Sequence, residues 1–215
     1  TMRIRLRRSI QQRTEMLAGV SHDLRTPLTR MKLSLALLPE SPETKELADD
    51  VADMQRMIEG YLAFARGEGD EDPVITDLSE ILEDVAAGVR RDNAGLDLGW
   101  NGDMTVELRP VAMKRCLSNI ISNALRYANH VKVEAVRGRT SMEVTVDDNG
   151  PGIPPDRYED VFRPFYRLDE SRNADTGGVG LGLSIARDVA RSHGGDVTLA
   201  ASPFGGLRVI VRIPL

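Results

Sequence analysis

The chain has 215 residues with a net charge of −5, 41% hydrophobic residues, 4% aromatics and a mean hydropathy of −0.27. This composition is that of a globular chain with an aliphatic core, and it excludes collagen-like, disulfide-scaffold and wholly disordered classes. The acidic balance argues against a generic nucleic-acid binder, the single Cys116 cannot form an intrachain disulfide, and no run approaches the length of a membrane span or a secretory leader.

The chain opens on basic Arg3–Arg8, which reads as the solvated start of a helix continuing upstream. The Thr1-Met2 start reads as an excised fragment, with any membrane span in a segment before it. Ile10, Leu17, Leu24, Met31 and Leu38 then recur every seven residues, with Leu28 and Leu35 four residues after Leu24 and Met31. Leu47, Val51, Met54, Ile58, Tyr61 and Ala65 alternate spacings of four and three. Both are heptad seams. Between them, Ser41 is the expected N-cap and Pro42 the first residue of the second helix. The expectation is a helical hairpin. Two helices bury too little alone, and the long seam favours a dimeric four-helix bundle over packing of both helices on the rest of the chain.

Gly67–Pro73 is polar, glycine-rich and proline-ended, a linker. The expected domains are therefore 1–69 and 70–215. After the linker, a helix over 78–91 follows Asp77, a strand over 104–108, a helix over 111–128 and strands around 131–135 and 142–148. A helix over 180–193 is closed by Gly194-Gly195, and a hairpin joins 196–201 to 207–213 around Pro203–Gly206. The fold class is α+β, with one antiparallel-rich sheet covered by helices on a single face. His130 and His193 read as structural, the latter a cation at a helix C-terminus.

No G-x-x-x-x-G-K-[ST] loop, G-x-G-x-x-G fingerprint, H-R-D or D-F-G occurs, so a nucleotide must be held by other means. Three stretches offer them. Asn119 and Asn123 are four apart on one helix face, opposite Leu117, Ile120, Ala124 and Leu125, and their amide oxygens suit Mg²⁺. Asp148 shares strand parity with Met142, Val144 and Val146 and so points inward. An unpaired carboxylate there is costly, and a purine amino group is a suitable partner. Gly150 and Gly152 beside it permit close backbone approach, although Asp-Asn-Gly alone is equally a simple turn. Thr176–Leu183 places glycines before a helix N-terminus, where backbone N–H groups meet phosphate.

In their order these stretches resemble the GHKL ATP-binding superfamily: Asn119–Tyr127 its N box, Asp148–Gly152 its G1 box, Val161–Arg167 its F box, Gly178–Leu183 its G2 box and Gly205-Gly206 its terminal element. Ser21–Leu28 resembles the H box of HisKA-type sensor histidine kinases. The resemblance spans nearly the whole chain. It implies a histidine kinase core: a dimerisation and phosphoacceptor hairpin followed by a GHKL sandwich that binds ATP and Mg²⁺. The γ-phosphoryl then moves to His22 and on to an aspartate of a response regulator, with phosphatase activity on that regulator.

His22 falls at heptad position f when Leu17 is a, facing solvent, and a neutral imidazole with a pKa near about 6.5 is a competent nucleophile. By resemblance, Asp23 is its base, Thr26 positions a dephosphorylating water, and Asn119 and Asn123 hold the metal. The nucleotide-binding set so implied adds Arg126, Tyr127, Asp148, Gly150, Gly152, Ile153, Phe162, Arg167, Thr176, Gly178, Val179, Gly180, Leu181, Gly182 and Leu183. The expected partners are a second copy of the chain and a receiver domain, with no nucleic acid. The expected location is the cytoplasmic part of an inner-membrane bacterial sensor, joined to the membrane only through an upstream segment. GHKL hydrolases of the gyrase kind resemble this fold but carry a water-activating glutamate where Asn119 stands, and an amide cannot act as that base. A non-enzymatic scaffold is the other rival, opposed by the intact His22, Asn119, Asn123, Asp148 and glycines.

Overall fold

The computed structural model describes residue 24 and residues 26–39, 41–65, 71–89, 95–168 and 180–215, without the side chains at 49, 53 and 56–65. Two units result, one of Thr1–Gly69 with Ser171–Leu181 and an α/β one of Asp70–Glu170 with Gly182–Leu215.

In the first unit, residues 26–36 are helical (α1) and Pro42–Ala65 form α2. Leu38 lies beyond α1, not on a helical heptad position. The N–H groups of Leu37 and Leu38 close a final tight turn on the carbonyls of Ser34 and Leu35. Pro39 explains the stop, because the residue before a proline disfavours the helical region. Ser41 caps α2 as expected: its Oγ accepts from Thr44 N at 3.2 Å, while its own N–H donates to Thr44 Oγ1 at 2.8 Å. Leu28 and Val51 are buried, but Leu24, Met31, Leu47 and Met54 are 44%, 49%, 52% and 45% exposed. Pro27, Met31, Leu35, Leu47 and Val51 line an open apolar groove between the helices. The seam positions Ile10 and Leu17, and the side chains of Ile58, Tyr61 and Ala65, lie outside the described residues.

In the second unit, β1 (Val74–Asp77) pairs antiparallel with β3 (Thr105–Leu108). The main sheet has the order β2 (Leu96–Asn101), β4 (Val131–Arg137), β5 (Ser141–Asp148), β7 (Leu207–Pro214), β6 (Asp196–Ala201). β2 runs parallel to β4, and every other pair is antiparallel. Alternation fixes one buried face: Val131, Val133, Ala135, Met142, Val144, Val146, Val209, Val211 and Ile213 all face the helices. The other face carries ion pairs, Glu143 with Arg212 and Asp147 with Arg208.

Three helices cover the buried face: α3 (Leu78–Val89), α4 (Pro110–Tyr127) and α5 (Gly182–Ser192). The expected limits of 111–128 and 180–193 thus shift by one or two residues. Asp77 caps α3 through Ser79 N at 2.9 Å. Arg109, at the N-cap of α4, offers no side-chain cap. Glu71 supplies it from 40 residues away, its Oε1 and Oε2 accepting from Val111 N at 2.8 Å and Ala112 N at 3.0 Å. Pro110 occupies the first turn, where no donor is needed. α5 ends in a Schellman turn: Gly194, at φ +78°, donates to Arg191 O and Gly195 to Ala190 O. His193 is structural, as expected: its Nε2 accepts Arg109 N–H at 2.9 Å and its Nδ1 is 2.8 Å from Val189 O, so the ring links α5 to the start of α4. The core is aliphatic as the composition implied, with Phe162 its one buried aromatic among the described residues.

Candidate functional site

The buried stripe of α4 (Met113, Cys116, Leu117, Ile120, Ile121, Ala124) orients the helix so that Asn119 and Asn123 stand half-buried at its edge. The Nδ2 of Asn119 is buried without a hydrogen-bond partner. An orphaned buried amide costs about 1–3 kcal/mol, so this position asks for a ligand. A half-turn of the side chain exchanges Nδ2 and Oδ1. Gly182, at the start of α5, lies against it: an added Cβ would be 3.8 Å from both the Cβ and the carbonyl oxygen of Asn119.

The other end of α4 meets the end of β5. Asp148 is 5% exposed, as its strand parity required. It is not unpaired, contrary to expectation: Oδ1 accepts from Gly150 N at 2.8 Å and Leu207 N at 3.0 Å. No described residue donates to Oδ2. Three glycines make this packing possible. An added Cβ at Gly206 would collide with Asp148 Oδ1 and stand 2.5 Å from Asp148 O and Gly150 N. One at Gly150 would stand 2.9 Å from Tyr127 O, and Gly152, at φ +69°, faces Gly206 O. Asn119 and Tyr127 are eight residues apart, which is about 12 Å along the helix axis. One helix thus carries both contact points.

Ile153 and Asn123 are half-buried, Arg126, Tyr127 and Arg167 exposed, Gly180 half-buried, and Leu181 and Leu183 buried. His22, Asp23, Thr176, Gly178 and Val179 lie outside the described residues, and Thr26 is exposed on α1. Phe162 is buried beneath the Arg187 guanidinium, 4.2 Å from its ring centre, so its ring has a packing partner within the fold. Among the described residues no group of three histidine, cysteine or acidic side chains is placed to hold a metal. Amide oxygens and phosphates are the remaining donors, and the Oδ1 atoms of half-buried Asn119 and Asn123 are of that kind.

Arg187 is a hub that motif reading did not reveal. It donates to Glu159 at 2.8 Å and to Asp196 at 2.9 Å, joining the 3₁₀ turn Asp160–Phe162 to α5 and β6. The hydrogen bonds it donates to Glu159 and Asp196 raise its pKa. Burial pushes the Asp196 carboxyl up, but the hydrogen bonds from Arg187, Arg191 and Val197 N–H overcome it and hold the group at about 2, against an ordinary 3.8. A depressed carboxyl stabilises the fold above its unfolded value and loses that contribution as pH falls toward the folded one. Asp196→Asn is therefore expected to flatten the acid loss of stability between 3.8 and about 2, read as urea midpoints across that range. Parallel profiles for the two proteins would contradict it.

Residues 109–215 match the histidine kinase-, DNA gyrase B-, and HSP90-like ATPase family, and residues 12–70 match the His Kinase A (phospho-acceptor) domain. The chain is 37% identical to the sensor histidine kinase CpxA of Escherichia coli over 98% of its length and 49% of that protein. It is 34% identical to the sensor histidine kinase GtrS of Pseudomonas aeruginosa over 100% of its length and 44% of that protein. It thus spans about half the length of these curated relatives. The crystal structure of the ATP binding domain of PrrB from Mycobacterium tuberculosis superposes with a TM-score of 0.54 at 30% identity, covering 67% of this chain and 98% of that one. A phospho-acceptor segment followed by this ATPase fold, matched along nearly the full chain, makes it a member of the HisKA-type sensor histidine kinases.

Proposed function

We propose that this chain is an ATP-dependent protein-histidine kinase core in which residues 70–215 bind Mg²⁺-ATP and residues 1–69 form the dimerisation and phosphoacceptor hairpin. One observation carries the nucleotide half: a buried carboxylate, Asp148, fixed through Oδ1 by two backbone N–H groups and walled by glycine backbone. Such an acceptor recognises the exocyclic amino group of a purine base. Asn119 and Asn123 would hold the Mg²⁺, which when bound neutralises phosphate charge. The amides bring no general base, which favours transfer to an acceptor over hydrolysis.

In that transfer the bond from the γ-phosphorus to the β,γ-bridging oxygen breaks and a nitrogen–phosphorus bond to His22 forms, with the imidazole proton passing to Asp23. Catalysis is positioning and charge neutralisation. The phosphoryl group then moves to an aspartate of a response regulator. A second copy of the chain is the partner that covers the exposed seam of Leu24, Met31, Leu47 and Met54. The similarity to about half of two sensor kinases supports placing this chain as the cytoplasmic part of an inner-membrane sensor.

Titration with nucleotide at varied Mg²⁺ tests the site. Asn119→Asp and Asn123→Ala are expected to weaken Mg²⁺-ATP binding by roughly tenfold or more and to lower autokinase activity in parallel. Unchanged Mg²⁺-dependent affinity in both variants would remove the metal face. Thr26 stands four residues after His22 in sequence, but only His22 carries a nucleophilic nitrogen. Thr26→Ala is expected to spare autophosphorylation while slowing regulator dephosphorylation roughly ten- to a hundredfold, the loss of one or two hydrogen bonds to the attacking water. Thr26→Ser keeps the hydroxyl and retains most of that activity. Equal loss in both variants would point instead to the Thr26-Pro27 backbone.

A further inference from the structure

We propose that Asn149 is a positioning residue for nucleotide binding, a clasp that fixes the corner between α4 and β4 against the Asp148 strand end; this rests on the nucleotide reading above. The residue lies between Asp148 and Gly150, where Asp-Asn-Gly reads as an ordinary turn. Its side chain reaches instead across 20 and 19 residues of sequence: Oδ1 accepts from Asn129 N at 3.1 Å and from His130 N at 3.0 Å. Its own N–H donates to His130 O at 3.2 Å.

These bonds extend a ladder that would otherwise end. Val131 is the last β4 residue in register, paired with Asp148. Beyond it the chain turns through Ala128, whose φ of −135° and ψ of 156° are extended, into α4. The N–H groups of Asn129 and His130 face β5 past the end of the strand pairing, and the Asn149 carbonyl receives both. A side-chain oxygen thus does the work of two further rungs.

The corner it holds touches the groups around Asp148. The carbonyl of Tyr127 is close enough to Gly150 that an added Cβ there would stand 2.9 Å away. The His130 ring meets Phe204 edge-on, with centres 5.2 Å apart, and Phe204 belongs to the turn between β6 and β7. That turn leads to Leu207, whose N–H holds Asp148 Oδ1. The contacts close a ring: Asp148, Asn149, His130, Phe204, Leu207 and back to Asp148. Backbone lies on backbone at Gly150 and Gly206, so a corner shift cannot be absorbed there. Releasing the clasp moves the last turn of α4, with Asn123 and Tyr127, relative to the carboxylate.

The test uses the full chain, trinitrophenyl-ATP with Mg²⁺ as the binding probe, and the variants Asn149→Ala and Asn149→Asp. Aspartate keeps the accepting oxygen and replaces an NH₂ that no described residue receives, at the cost of one added negative charge beside Asp148. Asn149→Ala is expected to raise the dissociation constant and the KM for ATP roughly tenfold while kcat at saturation stays within about twofold. Hydrogen exchange at the amides of Asn129 and His130 accelerates in the same protein. Asn149→Asp is expected to restore affinity to within about threefold of wild type and to return both amides to protection. Wild-type affinity in Asn149→Ala would overturn the clasp. So would an Asn149→Asp protein as weak as Asn149→Ala, or an Asn149→Ala chain that fails to fold, since the residue is then a stability element. A wild-type chain that binds no probe defeats the nucleotide reading itself, and the role of Asn149 with it.

Discussion

Gly206→Ala is expected to weaken nucleotide binding roughly a hundredfold or more. The added methyl would collide with Asp148 Oδ1 and stand 2.5 Å from Asp148 O and Gly150 N. Two of these three atoms are backbone, and the carboxylate oxygen is itself held by Gly150 and Leu207. No flexible side chain can give way, so the strand end must separate from the hairpin turn. Overpacking of this kind costs on the order of 3 kcal/mol. Lost from binding, that is roughly a hundredfold in affinity or more. Gly205 is the control. It has φ +94° but nothing within 4 Å of an added Cβ, so Gly205→Ala bears only the left-handed backbone strain of about 1–2 kcal/mol. Titration of both variants, with melting curves alongside, separates the two costs. Near-normal affinity in Gly206→Ala, or equal loss at both positions, would contradict the packing described around Asp148.

His22→Gln is expected to eliminate autophosphorylation, a loss of several orders of magnitude, with ATP affinity within about twofold of wild type. An imidazole nitrogen carries a lone pair in the ring plane, whereas the nitrogen lone pair of a carboxamide is delocalised and does not attack phosphorus. The acceptor precedes the linker and the nucleotide groups follow it in sequence, so the substitution replaces none of the groups assigned to ATP. Persistent labelling of the His22→Gln chain would move the acceptor elsewhere. A parallel loss of ATP affinity would contradict the separation of acceptor and nucleotide site.

Local physics carried much of the fold. Ser41-Pro42, Asp77 and Gly194-Gly195 marked helix ends because their partners lie within five residues. Strand parity placed Asp148 inside correctly, since a period of two leaves no other choice. What escaped was non-local. β2 pairs parallel with β4, across the whole of α4, and β1 is a four-residue strand whose partner follows α3. The Asp148 donors come from Gly150 and from Leu207, 59 residues on, so its pairing could not be read from its neighbours. Glu71 capping α4 and Arg187 binding Glu159 are likewise contacts that no spacing announces. The shared half-buried edge of Asn119 and Asn123 on α4 was legible from helical spacing, and Gly206 from its motif. The reason Gly206 must be glycine became visible only when the carboxylate was seen beside it.

The central claim is that this fold passes the γ-phosphoryl of ATP to a histidine of its own chain. Incubation of the full chain with γ-labelled ATP and Mg²⁺, followed by acid and alkali treatment of the recovered protein, tests it most directly. Phosphohistidine is labile to acid and stable to alkali, so the account predicts protein-bound label that acid removes and alkali spares. Release of labelled phosphate with no labelled chain, or label that survives acid, would contradict it.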